Sequence, residues 1–213
     1  IRAMRDEDFD VIHLHEPLSP GPNHTALLTR PAPLIGTFHA AGGSLAYDMM
    51  PRATRFLAGR LDDRCAVSED AKKMAQEALG GQYDLTFNGV ELARFASGTP
   101  HPTTGPTIFF LGRHEPRKGL RVLLYAMSQL PADTRLWVAG EGQETAELMA
   151  EHAGDRRIEW LGTISESEKI ARLRGADVFC APSLGGESFG IVLLEAMAAG
   201  TAVVARDIPG YAN

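Results

Sequence analysis

Short apolar runs alternate with amphipathic stretches along the whole chain, and this alternation predicts the elements. In the first half, Asp10–His15 and Pro33–His39 predict strands that end in polar loops. Met50–Arg60 predicts a helix and Asp63–Val67 another strand. Ser68 is the expected N-cap of the next helix, with Glu69 and Asp70 in its first turn and Gly80 past its end. Asn88-Gly89 predicts a turn. The segment Ala96–Pro106 breaks the pattern with three prolines and two glycines in 11 residues, a linker composition. The alternation then restarts. Strands are predicted at Thr107–Leu111, Arg135–Ala139, Ile158–Leu161, Val178–Ala181 and Ala202–Ala205, and helices at Leu120–Leu130, Glu144–His152, Glu166–Arg174 and Phe189–Ala199.

Near-continuous apolar strands between helices imply a parallel sheet covered on both faces. The chain therefore reads as α/β, linker, α/β, with domains over residues 1–98 and 99–213. Ligands of open parallel sheets sit beyond the C-terminal strand ends. That rule directs attention to the segments after Leu14, Phe38, Leu111, Ala139, Leu161, Ala181 and Ala205.

Charge changes the picture by exclusion. Residues 1–98 carry 10 basic and 13 acidic groups and residues 99–213 carry 11 and 14, so neither half is a basic module and nucleic acid is not an expected partner. No apolar run approaches the length of a membrane-spanning helix. The two cysteines, Cys65 and Cys180, lie far apart in apolar runs and read as buried thiols. Reduced, cytoplasmic conditions fit them.

The richest stretch runs from Gly185 to Gly200. A strand ending at Ala181 leads into a loop with Gly185, Gly186 and Gly190, then into a helix. Free N–H groups around Ser188, Phe189, Gly190 and Ile191 suit a diphosphate or sugar hydroxyls. Glu187 stands at the mouth of the loop. Glu195, a helical rise of about 12 Å further on, lies among apolar neighbours and needs a partner. A second stretch, Gly112 to Gly119, offers Arg113 and Lys118 at the same expected strand edge. Cations are required there if negative charge builds on a departing diphosphate. Arg117 reads as a surface residue.

In the first half, His39 ends a strand, where it can orient a substrate. His13, His15 and Glu16 share a short segment; the two histidines face one way, but no third ligand at matching spacing implies a metal. Asp62-Asp63 and Asp6-Glu7-Asp8 read as solvated charge. No dinucleotide fingerprint, P-loop or nucleophile elbow is present.

Together these residues resemble the GT-B glycosyltransferases of family 4. Glu187 and Glu195 match its E-x7-E pattern, and Gly112-Arg113 with Lys118-Gly119 its phosphate-binding element. Asn88-Gly89-Val90-Glu91 resembles the turn before its interdomain linker. Within the family, Ile12–Pro17, Thr37–His39, Glu115–Gly119, Val178–Pro182 and Thr201–Ala205 are similar to actinobacterial mannosyltransferases that act on phosphatidylinositol. The resemblance implies two Rossmann-like doubly wound domains facing a cleft, both incomplete here. It implies a hexosyltransferase that retains anomeric configuration, with GDP-mannose as donor, phosphatidylinositol or a related glycolipid as acceptor, and no tightly bound cofactor or metal.

By the same resemblance, Arg113 and Lys118 hold the diphosphate, Glu187 the transferred sugar and Glu195 the ribose. Ile164, Glu166 and Lys169 meet the guanine, and His39 stands near the reaction centre. The family's glycine-rich loop and a basic membrane-docking helix are expected upstream of Ile1, giving peripheral contact at the inner face of the plasma membrane. The end of the second domain is expected beyond Asn213. The run Ala40-Ala-Gly-Gly-Ser44 lacks a lysine that close mycobacterial relatives carry, and the Arg-to-Lys spacing is one residue shorter than theirs. A nucleotide-sugar 2-epimerase and a non-catalytic nucleotide-sugar-binding module are the alternative readings of the same residues.

Overall fold

The structure, a computed structural model, describes residues 4, 7–40 and 51–212. The predicted contributions of Met50, Asp6 and Ala41–Ser44 lie outside the described residues. Two compact units are present: residues 1–88 with 187–189 and 212–213, and residues 89–186 with 190–211.

The first unit carries a four-stranded parallel sheet in the order β1 (Ile12–His15), β2 (Leu34–Phe38), β3 (Asp63–Ala66), β4 (Asp84–Leu85). Helices α1 (Pro22–Thr29), α2 (Pro51–Ala58) and α3 (Glu69–Leu79) connect them. Leu14, Leu27, Leu34 and Phe38 meet Ala58, Ala75 and Leu79 in one core. The Ser68 side chain caps α3 by accepting the Ala71 N–H at 3.1 Å, and Gly80 closes it at φ 73°, as the residue pattern predicted. Asp62 is exposed, in keeping with its reading as solvated charge, and is also held in place. Its carboxylate accepts the Leu34 N–H at 2.8 Å and pairs with Arg30, and these two interactions, the Leu34 bond foremost, hold it below the usual carboxylate range.

The second unit opens with α4 (Leu92–Ala96) and carries a five-stranded parallel sheet. Its strands are β5 (Thr107–Leu111), β6 (Arg135–Ala139), β7 (Ile158–Gly162), β8 (Val178–Ala181) and β9 (Ala202–Ala205), in the spatial order β7-β6-β5-β8-β9. Its further helices are α5 (Leu120–Met127), α6 (Thr145–Glu151), α7 (Glu166–Gly175) and α8 (Ile191–Ala198). Successive strand residues face opposite sides. Phe109, Trp137 and Phe179 therefore pack with Leu173 and Leu193 on one face, while Phe110, Leu136 and Val138 pack with Leu120, Leu124 and Leu148 on the other. Burial on both faces is why β5, β6 and β8 are apolar almost throughout.

Three local expectations are corrected. Residues 86–91 form neither a turn nor a bend; an Asn-Gly pair closes a hairpin only between antiparallel strands, and here a helix follows. The helix predicted at Phe189–Ala199 begins at Ile191, after a left-handed Gly190 at φ 76°, so helical rise does not measure the separation of Glu187 from Glu195. The proline- and glycine-rich stretch is also tied down. The His101 N–H donates to the Ala171 carbonyl at 2.9 Å and its ring meets Trp137 edge-on, so the residues with linker composition lie inside the second unit.

Candidate functional site

The chain leaves β5 toward β6 and β7 on one side, then returns to place β8 and β9 on the other. The adjacent parallel strands β5 and β8 thus form a topological switch point, where successive loops diverge and leave a crevice. The loops leaving these two strands are residues 112–119 and 182–190, the stretches singled out by their chemistry.

Arg117 fastens the two loops together. Its guanidinium donates to the Gly186 carbonyl at 2.9 Å, and its own carbonyl accepts the Leu184 N–H at 2.7 Å. Its other terminal nitrogen lies 2.7 Å from Glu115 Oε1, which also draws Arg113 to 3.3 Å. Arg117 does lie at the surface, as its sequence reading has it, but nothing local shows that it also bonds a loop 69 residues away. Gly119 completes the fastening. At φ 70°, a Cβ there would overlap the Pro182 carbonyl oxygen. Arg113 is 69% exposed beside this tie, and Lys118 ends the 3-10 turn Pro116–Lys118. Glu187 is the residue after Gly186, followed by Ser188 and Phe189.

No side chain caps the start of α8. Gly190 takes its left-handed conformation against the Tyr211 ring, and the Tyr211 hydroxyl donates to the buried Ser183 Oγ at 2.9 Å. The first N–H groups of α8 are thus held in place at a helix end suited to an anion. Sequence reading missed Ser183 and Tyr211, since neither belongs to a local pattern.

The partner that Glu195 needed is Lys169. Lys169 Nζ donates to Glu195 Oε1 at 2.7 Å, with the two side chains 14% and 15% exposed. Lys169 also meets Glu166 Oε2 at 2.9 Å and sits 5.4 Å above the Phe95 ring centre. Ser165 caps α7 by accepting the Glu168 N–H at 3.2 Å, which sets Glu166 in the first turn. Ile164 packs against the core just before it. Three of the residues assigned to nucleoside recognition, Glu166, Lys169 and Glu195, thus form one connected cluster.

In the first unit, His39 follows β2. Its Nε2 lies 2.8 Å from His15 Nδ1, and its backbone N–H donates to Glu16 Oε1 at 2.6 Å. Burial lowers the His39 pKa, Glu16 opposes the shift, and His15 and His13 add to it. Among the described residues, no group of three or more His, Cys, Asp and Glu side chains is arranged to hold a metal ion. Cys65 and Cys180 are free and partly buried, and burial pushes the Cys180 thiol up to about 11.

Two Rossmann-like halves with parallel sheets define a GT-B fold. The solved structure of Anabaena Alr3699/HepE in complex with UDP and glucose shares it, with a TM-score of 0.73 at 19% identity over 95% of this chain and 60% of that one. The chain belongs to the family Glycosyl transferases group 1, which matches residues 94–213, while residues 1–94 match Glycosyltransferase Family 4. It is 42% identical over 218 residues to the phosphatidyl-myo-inositol mannosyltransferase of Mycolicibacterium smegmatis, covering 98% of this chain and 56% of that protein. The corresponding Mycobacterium leprae protein is 41% identical over 220 residues, 99% and 58% covered. The chain thus spans little more than half the length of these relatives.

Proposed function

We propose that this chain is part of a retaining mannosyltransferase that moves mannose from GDP-mannose to phosphatidylinositol or a related glycolipid. The observation that carries the reading is the switch-point crevice of the second unit, with its two loops fastened by Arg117 and an acid–cation cluster at Glu195. The relatives' names supply the sugar and the acceptor.

In this reading, Arg113, Lys118 and the N–H groups of residues 188–191 hold the diphosphate. Arg gives a planar fork and Lys a compact charge, a pairing suited to phosphate oxygens. Glu195 keeps Oε1 on Lys169 and turns Oε2 to the ribose hydroxyls. Ile164 supplies an apolar wall to the guanine, and Glu166 accepts from its N–H groups. Glu187 orients the transferred sugar, and His39 serves the acceptor side. As the glycosidic bond breaks, its electron pair leaves with the diphosphate. That oxygen takes the proton of the incoming hydroxyl, whose oxygen bonds the anomeric carbon from the same face. Lys118 and the α8 end stabilise the developing charge, the interaction that contributes most to such steps.

A donor screen on the full-length protein tests this. Calorimetry with GDP-mannose and UDP-glucose is expected to favour the former, and incubation with phosphatidylinositol to yield an α-mannoside. An epimerised free nucleotide sugar would instead identify a 2-epimerase, and binding without product a non-catalytic module. Lys118→Ala and Glu187→Ala are each expected to lower transfer roughly a hundredfold or more with unchanged thermal stability. Near-normal turnover in both removes the mechanism.

A further inference from the structure

Glu16 is one of two non-glycine residues among those described that adopt positive φ, here 47°. L side chains rarely take this conformation, and it persists only where neighbours impose it. The neighbours are visible. The Asn23 side-chain amide donates to the carbonyls of both His15 and Glu16 at 3.0 Å, and the Glu16 N–H donates to the Thr37 carbonyl at 2.9 Å. The effect of this turn is local and specific. It swings the Glu16 carboxylate back under the His39 N–H and leaves His15 beside the His39 ring.

The rings continue the arrangement. His15 and His39 lie with centroids 5.1 Å apart and tilted by 38°, and His13 lies 4.4 Å from His15. His13 Nε2 is itself fixed by the Thr37 hydroxyl at 2.7 Å. His15 is exposed and His39 half-buried, so water can reach the His15 side of the pair and compete for its Nδ1. A left-handed turn and two anchored neighbours nevertheless hold the two rings in register.

We propose that His15 is a positioning residue for His39: it occupies Nε2, fixes the ring plane, and leaves Nδ1 as the atom that His39 presents for chemistry. In a neutral imidazole one nitrogen donates and the other accepts. The tautomer of His15 therefore decides whether His39 Nδ1 carries its proton or is bare, and so whether it donates to or accepts from the reacting sugar or hydroxyl. His39 Nδ1 has no hydrogen-bond partner among the described residues. The inference rests on the reading of His39 as a residue of the reaction centre.

The test uses the full-length protein with 15N-labelled histidine. In the wild type, His39 Nε2 and His15 Nδ1 are expected to give complementary shifts, one protonated and one bare. His15→Ala is expected to move the His39 shifts and to lower kcat roughly tenfold, with KM for the nucleotide sugar within about twofold of wild type. His15→Asn, whose amide reaches the place of Nδ1, is expected to restore most of the rate and the His39 shifts. Unchanged His39 shifts in His15→Ala would overturn the proposal. So would an unchanged kcat in His15→Ala alongside an inactive His39→Ala. Normal turnover by His39→Ala would instead reject the catalytic reading of His39, and the shifts would still decide whether His15 sets its tautomer.

Discussion

Replacing Gly119 by alanine separates two costs that usually travel together. Gly119 sits at φ 70° where the loop after β5 meets the loop after β8, and an added Cβ would overlap the Pro182 carbonyl oxygen. Gly200, in the same unit, sits at φ 82° with nothing within 4 Å of an added Cβ. Both substitutions force an L residue into the left-handed region, at a cost of about 1–2 kcal/mol. Only Gly119→Ala also drives a methyl into backbone that cannot rotate away, an overpacking cost of about 1–3 kcal/mol more. Gly200→Ala should therefore destabilise by about 1–2 kcal/mol and Gly119→Ala by about 2–5 kcal/mol. The consequence for function follows from Arg117. Relief of the overlap parts the two loops, strains the Arg117 bond to Gly186, and shifts Arg113 and Lys118 relative to the start of α8. Urea unfolding of the full-length variants gives the energies, and calorimetry with GDP-mannose gives the affinity. Equal destabilisation by the two substitutions, or undiminished nucleotide-sugar affinity in Gly119→Ala, would refute the reasoning.

Lys169→Met removes the cation from a largely buried carboxylate at Glu195 and should cost about 1–3 kcal/mol and weaken nucleotide-sugar binding; the double variant Lys169→Met/Glu195→Gln should recover part of the stability, and a cycle without coupling would contradict the pairing. His114 is buried and donates to or accepts from the Thr145 hydroxyl at 2.9 Å; its pKa lies below 6.5 mainly through burial, against the Ala139 carbonyl and Glu141. The unfolded chain therefore takes up this proton first, so the His114 contribution is present above pH 6.5 and is lost as pH falls below it. His114→Asn should flatten the fall of melting temperature on the acid side, and an unaltered slope would exclude the assignment. Cys180, with its thiol raised to about 11, should react with a thiol reagent at pH 8 far more slowly in the folded than in the unfolded protein. Equal rates would show that burial does not govern it.

The strands β5, β6 and β8 were legible in the sequence because each is covered on both faces, whereas β9 is largely exposed and was legible only from its apolar residues. A strand covered on both faces has no choice but to be apolar throughout, and helices on either side mark its ends. The α3 cap was legible for a related reason: Ser68, Glu69 and Gly80 act within their own turns. Helix α1, by contrast, has no clean apolar stripe to announce it, and β4 is too short to show a period. The candidate residues could be named from their types and spacing. Their partners could not. That Glu195 needs a partner follows from its apolar neighbours, yet that Lys169 is that partner depends on how α7 packs against α8. That Arg117 fastens two loops, and that His15 meets His39 across 24 residues, depends on strand order and register in parallel sheets. Local sequence governs turns, caps and burial because these are settled within a few residues. Long-range pairing is settled only when the sheet assembles, and there the tertiary structure alone decides which charge meets which.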